Sequence, residues 1–117
     1  MLKLFWVALV ALEHVYFLYL EMFLWTKPKG LKVFKQSLEK AQASQVLAAN
    51  QGLYNGFLAV GLLWGLLHPN PLIGRQIQLF FLGCVVVAGA FGGATVGVRL
   101  FFAQAVPALI ALYCFFF

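Results

Sequence analysis

The chain has 117 residues, of which 64% are hydrophobic and only 9% are charged. Soluble domains carry about 25% charged residues, and small domains bury the smallest fraction of their apolar surface, so this composition excludes an ordinary soluble fold. The net charge of +5 does not indicate a nucleic-acid-binding protein, because five of the eight cations lie between Lys27 and Lys40. The remaining class is an integral membrane protein with one domain, residues 1–117.

The first apolar stretch, Leu4 to Leu24, predicts a membrane-spanning helix over about residues 2–25. The stretch is longer than the ~7–15 residues of a signal-peptide core, and it contains Glu13, His14 and Glu21. A charge at the centre of a spanning helix costs roughly 2.5–3.5 kcal/mol. These three side chains are therefore expected to face protein or water rather than lipid.

A polar segment, residues 27–43, follows Trp25, which is the type of residue that is enriched at membrane interfaces. Within the segment Leu31, Phe34 and Leu38 recur at helical spacing, with lysines between them. This pattern favours a short interfacial helix, and a solvated loop is the alternative.

Three more spans are predicted, over about residues 44–67, 75–96 and 98–117. Two prolines after His68 end the second of them. The chain is thus expected to be an all-α four-helix bundle with both termini on one side of the membrane. The side of the membrane that carries the Lys27–Lys40 segment has six cations, whereas the opposite side has two. This segment is therefore expected to be cytoplasmic, and both termini are expected on the outer side of the cell (inner) membrane.

Glycines recur at four-residue spacing in the later spans, which predicts close packing of helix backbones. These sets are Gly52 and Gly56, Gly61 and Gly65, and Gly89, Gly93 and Gly97.

No cofactor and no metal is expected. The two cysteines, Cys84 and Cys114, lie in different predicted spans and show no metal-ligand spacing. No glycine-rich loop opens a helix after a strand, so no phosphate loop is indicated either.

Polar side chains from all four spans fall in the half of the bilayer nearer the lysine segment, whereas the opposite half is almost entirely apolar. This distribution predicts either a polar cavity open toward the cytoplasm or a hydrogen-bonded core that holds the helices together. No catalytic residue can be assigned. The candidates for binding a ligand or a proton are Glu13, His14, Glu21, Asn50, Gln51, Tyr54, Asn55 and Gln104.

Several motifs resemble one known family. They are Ala11-Leu12-Glu13-His14, Tyr19-Leu20-Glu21-Met22-Phe23, Asn50 to Phe57, and Gly93-Ala94-Thr95-Val96 with Gln104 and Pro107-Ala108-Leu109. The family comprises small bacterial membrane proteins called domain-of-unknown-function thirteen-oh-four. The resemblance covers nearly the whole chain and implies a four-span inner-membrane protein, but it implies no activity.

Three functions fit these observations. The first is a bundle, expected to be a homodimer, that binds or transports a small apolar or amphipathic ligand around Glu13 and His14. The second is a membrane-embedded enzyme that applies acid–base chemistry to a lipid or other apolar substrate, with Asn55 or Gln51 orienting it. The third is an accessory membrane subunit without chemistry. An enclosed polar site would favour the first two over the third.

Overall fold

The computed structural model describes residues 1–117, and its only regular elements are helices. Four helical segments are long and apolar enough to cross a membrane: Leu2–Phe23, Leu38–Leu67, Pro71–Thr95 and Val98–Phe116. The shortest of them has 19 residues, close to the roughly 20 that span a hydrocarbon core of about 30 Å. The predicted class, an all-α four-helix bundle, is confirmed, and the chain has the helices of a multi-pass membrane protein.

The helices are numbered in chain order. They are α1 (Leu2–Phe23), α2 (Pro28–Phe34), α3 (Leu38–Leu67), α4 (Pro71–Thr95), α5 (Val98–Leu100), a π-helical segment (Phe101–Ala105) and α6 (Val106–Phe116).

The polar segment contains α2 and also the beginning of α3. Helix α3 begins at Leu38, six residues before the predicted start at Ser44. The hydroxyl of Ser37 accepts a hydrogen bond from the backbone N–H of Lys40 at 3.2 Å, which satisfies one of the free N–H groups of the first turn. A cap at this position allows polar residues to begin a helix that becomes apolar further along.

Helix α4 also begins earlier than the predicted start at Arg75. The side chain of Asn70 accepts hydrogen bonds from the N–H groups of Leu72 and Ile73, at 3.0 and 3.3 Å. Pro71 occupies the first turn, where its missing N–H has no helical partner to lose. The Asn-Pro pair therefore both ends the preceding turn and begins the next helix.

The chain divides into two compact units. The first unit, residues 1–12 and 58–117, contains an apolar core in which the first part of α1 and the last part of α3 pack with α4 and α6. The fully or almost fully buried side chains of this core are Val7, Val10, Ala11, Leu62, Leu82, Val85, Ala108, Ala111 and Phe115.

Glycines bring α4 against the π-helical segment within the first unit. A Cβ atom at Gly89 would lie 2.6 Å from the backbone nitrogen of Ala105, and one at Gly93 would lie 2.7 Å from the Cβ of Phe101. The predicted packing role is confirmed for these two glycines. Gly97 differs, because it lies between α4 and α5 and a Cβ there would meet nothing within 4 Å.

The π-helical segment directly precedes Pro107. In a regular α-helix a proline ring clashes with the carbonyl group four residues earlier, and a wider turn is one way to relieve that crowding. The backbone N–H of Val106 bonds to the carbonyl of Phe101, five residues back. This turn buries Gln104 and Ala105.

The second unit, residues 13–57, contains the end of α1, all of α2 and the beginning of α3. Gly52 and Gly56 of α3 face α1: a Cβ on either glycine would lie 2.7 Å from a side-chain carbon, of Met22 and Leu18 respectively. The predicted role of this glycine pair in close helix packing is confirmed.

Helix α2 is held in place by contacts around Trp25. The ring centroids of Trp25 and Phe34 are 4.7 Å apart, and the indole N–H of Trp25 donates a hydrogen bond to the Ser44 hydroxyl at 3.1 Å. Gly30 lies so close to the carbonyl of Leu24 that no side chain would fit there. The segment thus forms a short helix, as predicted, but this helix ends at Phe34 and Leu38 belongs to α3. Its position at a membrane interface stays a prediction.

Candidate functional site

A buried polar pair connects α1 to α3 in the second unit. The side-chain amide of Asn55 donates a hydrogen bond to the Glu21 carboxylate at 2.5 Å. Only 6% of Glu21 and 7% of Asn55 is exposed. The pair lies beside the contact of Gly52 with α1, which allows these short side chains to meet. Glu21 therefore has a partner, as a carboxylate within a spanning helix requires.

Glu13 has a different environment. It is half-buried, and its Oε1 atom is buried without a hydrogen-bond partner in the protein. An unsatisfied buried polar group costs about 1–3 kcal/mol, and more when the group is charged. This oxygen is thus free to accept a hydrogen bond or to face a cation that the protein itself does not provide.

His14 lies next to Glu13 in sequence but is fully buried. Its ring packs edge-to-face against Phe17, with the ring centroids 5.3 Å apart. Successive helical side chains diverge by about 100°, which explains why these neighbours have different exposure.

A cation lies over the aromatic ring of Tyr16, which follows Glu13 on α1. The ammonium group of Lys29, on α2, lies 5.6 Å from the ring centroid of Tyr16. Tyr16 is three residues after Glu13 on α1, and 42% of it is exposed. From the sequence, Lys29 counts only as one of the orientation charges, because no local pattern shows that its side chain reaches α1.

The remaining predicted site residues lie in different environments. Asn50, Gln51 and Tyr54 are exposed on α3, and the Tyr54 ring packs against Phe57 with centroids 5.5 Å apart. Gln104 is buried in the π-helical segment of the first unit. Among the predicted residues, the side chains of Glu21 and Asn55 are joined by a hydrogen bond.

The arrangement can provide carboxylate and amide groups to a ligand within a largely apolar helical environment. The chain contains no group of three or more His, Cys, Asp or Glu side chains placed to hold a metal ion. The polar chemistry described for the second unit is that of carboxylate oxygens, an amide, an imidazole, a lysine and aromatic rings.

Comparison with known proteins shows the family of the chain. A family profile described as "Protein of unknown function (DUF1304)" matches residues 8–116. The chain is also 31% identical over 111 residues to "Uncharacterized protein YpaA" of Lactococcus lactis subsp. lactis (strain IL1403), and the match covers 93% of this chain and 92% of that protein. No solved structure matches the chain. The profile match includes Glu13, Glu21 and Asn55, and this chain belongs to the DUF1304 family.

Proposed function

We propose that this protein binds, and moves across the membrane, a small amphipathic molecule whose polar end contacts Glu13. The observation that carries the proposal is the buried Oε1 atom of Glu13, which has no hydrogen-bond partner in the protein. A spanning helix gains nothing in stability from such an oxygen, because an ionisable group in the membrane is costly and this atom holds no other element in place.

A purely structural role is a better explanation for Glu21 than for Glu13. Glu21 and Asn55 join two helices through a hydrogen bond, which is what a polar contact between membrane helices does. Glu13 makes no such connection through Oε1. This difference favours a ligand-binding role over that of an accessory subunit, in which every buried polar group would be expected to have a partner.

The test is binding of tetraphenylphosphonium, an amphipathic cation, to the full chain in lipid nanodiscs. We expect Glu13→Gln to weaken binding about ten-fold or more, because truncating a desolvated charge contact costs about 2–5 kcal/mol. Glu39→Gln is the matched control, since it makes the same change at an exposed glutamate of the polar segment and should leave binding unchanged. Equilibrium dialysis with the labelled cation measures both affinities.

Two results would contradict the proposal. One is the absence of saturable binding by the unaltered protein. The other is an equal affinity of the Glu13→Gln variant, provided that both proteins melt at the same temperature in detergent. Uptake of the same cation by proteoliposomes then tests the transport part, and Glu13→Gln should reduce its initial rate in parallel with binding.

The proposal includes an orientation, with the lysine segment in the cytoplasm and both termini outside the inner membrane. The six-to-two distribution of cations supports it. In a variant with Cys84 and Cys114 replaced by serine, a cysteine at exposed Pro69 should react with an impermeant maleimide on whole cells, and one at exposed Gln42 should not. Pro69 is chosen rather than the neighbouring Asn70, because the Asn70 side chain caps α4 and its replacement would disturb that helix. The reverse labelling pattern would show that the orientation is the opposite one. That two copies of the chain form a homodimer stays a prediction.

A further inference from the structure

Glu13 and Tyr16 share one side of α1. Residues three apart on a helix are neighbours, and helical side chains lean toward the N-terminus, so the Tyr16 side chain leans toward the turn that carries Glu13. Tyr16 presents an exposed aromatic ring, and Glu13 presents a half-buried carboxyl group with one unpaired oxygen. An aromatic ring one helical turn from an acidic group is a combination that can attract positively charged nitrogen.

The chain itself places a cation over the Tyr16 ring. The Lys29 ammonium group lies over the Tyr16 ring, 5.6 Å from its centroid, within the range of a cation–π interaction. The backbone next to Lys29 is fixed, because the adjacent Gly30 packs directly on the carbonyl of Leu24. Only the side chain of Lys29 therefore has to move for the ring to become available to another cation.

We propose that Glu13 and Tyr16 form a binding site for the ammonium group of an amphipathic amine or quaternary ammonium compound, and that Lys29 is an internal cation which the ligand displaces. This inference rests on the proposed function and specifies its substrate class. The carboxyl group supplies charge attraction in a low-dielectric environment, while the ring accepts the N-methyl or N–H face of the ligand. Lys29 lowers the apparent affinity by occupying the same ring.

The simpler role of Lys29 is that of one orientation charge among five in the segment. In that case its removal would act only through the change in net charge. Lys32 provides the comparison, because it is exposed on the same short helix, three residues further along, and is not the lysine that covers Tyr16. The two roles therefore predict different results for Lys29→Gln and Lys32→Gln.

The experiment measures the affinity of benzyltrimethylammonium for the full chain in nanodiscs. The Lys29→Gln variant should bind about two- to five-fold more tightly than the Lys32→Gln variant. This factor is what the ligand gains when it no longer has to displace a cation–π contact of the strength found at exposed sites. Lys29→Arg should behave like the unaltered protein, because a guanidinium group can also cover the ring. Tyr16→Leu, introduced into the Lys29→Gln protein, should remove that gain. Neopentylbenzene, the neutral hydrocarbon of the same shape, should not compete.

Each outcome decides the inference. Equal affinities of Lys29→Gln and Lys32→Gln would overturn it, as would equal competition by neopentylbenzene. If tetraphenylphosphonium binding still depends on Glu13 in that case, the proposed function stands and only the ammonium site is wrong. If neither cation shows a dependence on Glu13, the proposed function fails as well. A melting curve for each variant shows that the comparison is between folded proteins.

Discussion

Replacing Gly52 by leucine is expected to lower the melting temperature of the protein in detergent by about 10 °C, which corresponds to about 2–3 kcal/mol for a chain of this size. The reason is the contact between α3 and α1. A Cβ at Gly52 would lie 2.7 Å from Cγ of Met22, 3.1 Å from Cβ of Glu21 and 3.3 Å from the carbonyl oxygen of Leu18. A side chain of four carbons can be accommodated only if the helices separate.

The matched control for this substitution is Gly83→Leu. Gly83 is also in the interior of a helix, α4, but a Cβ there would meet nothing within 4 Å. Leucine should therefore leave stability unchanged or raise it slightly, since glycine costs about 1 kcal/mol relative to good helix formers. Scanning fluorimetry on both purified variants makes the comparison. Similar melting temperatures for the two would mean that Gly52 is not a packing position.

Asn55→Leu is expected to have a comparable effect, about 1–3 kcal/mol of destabilisation, because it removes the hydrogen-bond partner of a buried carboxyl group. Glu21 is only 6% exposed, so water cannot easily replace the lost amide. Glu21→Gln should cost much less, since a glutamine side chain also offers an oxygen to the Asn55 amide.

A double-mutant cycle separates this pair from ordinary packing. The Glu21→Leu, Asn55→Leu protein removes both partners, and we expect it to be more stable than Asn55→Leu alone, because an apolar pair leaves no group unsatisfied. Unfolding in detergent with increasing denaturant gives the four free energies. Additive losses for the two single substitutions would show that the hydrogen bond contributes no coupling.

The four spans were predictable because their composition is extreme, whereas the helix ends depend on single capping contacts. Two of these contacts, at Ser37 and Asn70, move helix starts by several residues from the predicted positions. A hydropathy pattern reports where the chain becomes apolar, not where the first backbone N–H groups find partners. A capped polar turn can therefore precede an apolar span as part of the same helix.

The sequence pattern singled out Glu13, Glu21 and Asn55 as candidates, but not the pairing of Glu21 with Asn55 or the position of Lys29 over Tyr16. Glu21 was expected to avoid lipid, Asn55 was a candidate for ligand binding, and both are buried. Which of the polar residues on α3 turns inward depends on the rotation of that helix. The buried side of α3 in this region contains Ala48, Gly52 and Asn55, so the small residues that admit α1 also determine which amide meets Glu21. Gln51 falls at the edge of this side and is exposed.

The π-helical turn before Pro107 also has an evolutionary consequence. It holds one residue more than an α-helical turn would, and two contacts depend on it: Phe101 against Gly93, and Ala105 against Gly89. Loss of one residue would rotate Phe101 by about 100° relative to Ala105, so both contacts could not be kept. In related chains, a deletion at this turn and a change of side-chain size at the glycine positions of α4 are therefore expected to occur together.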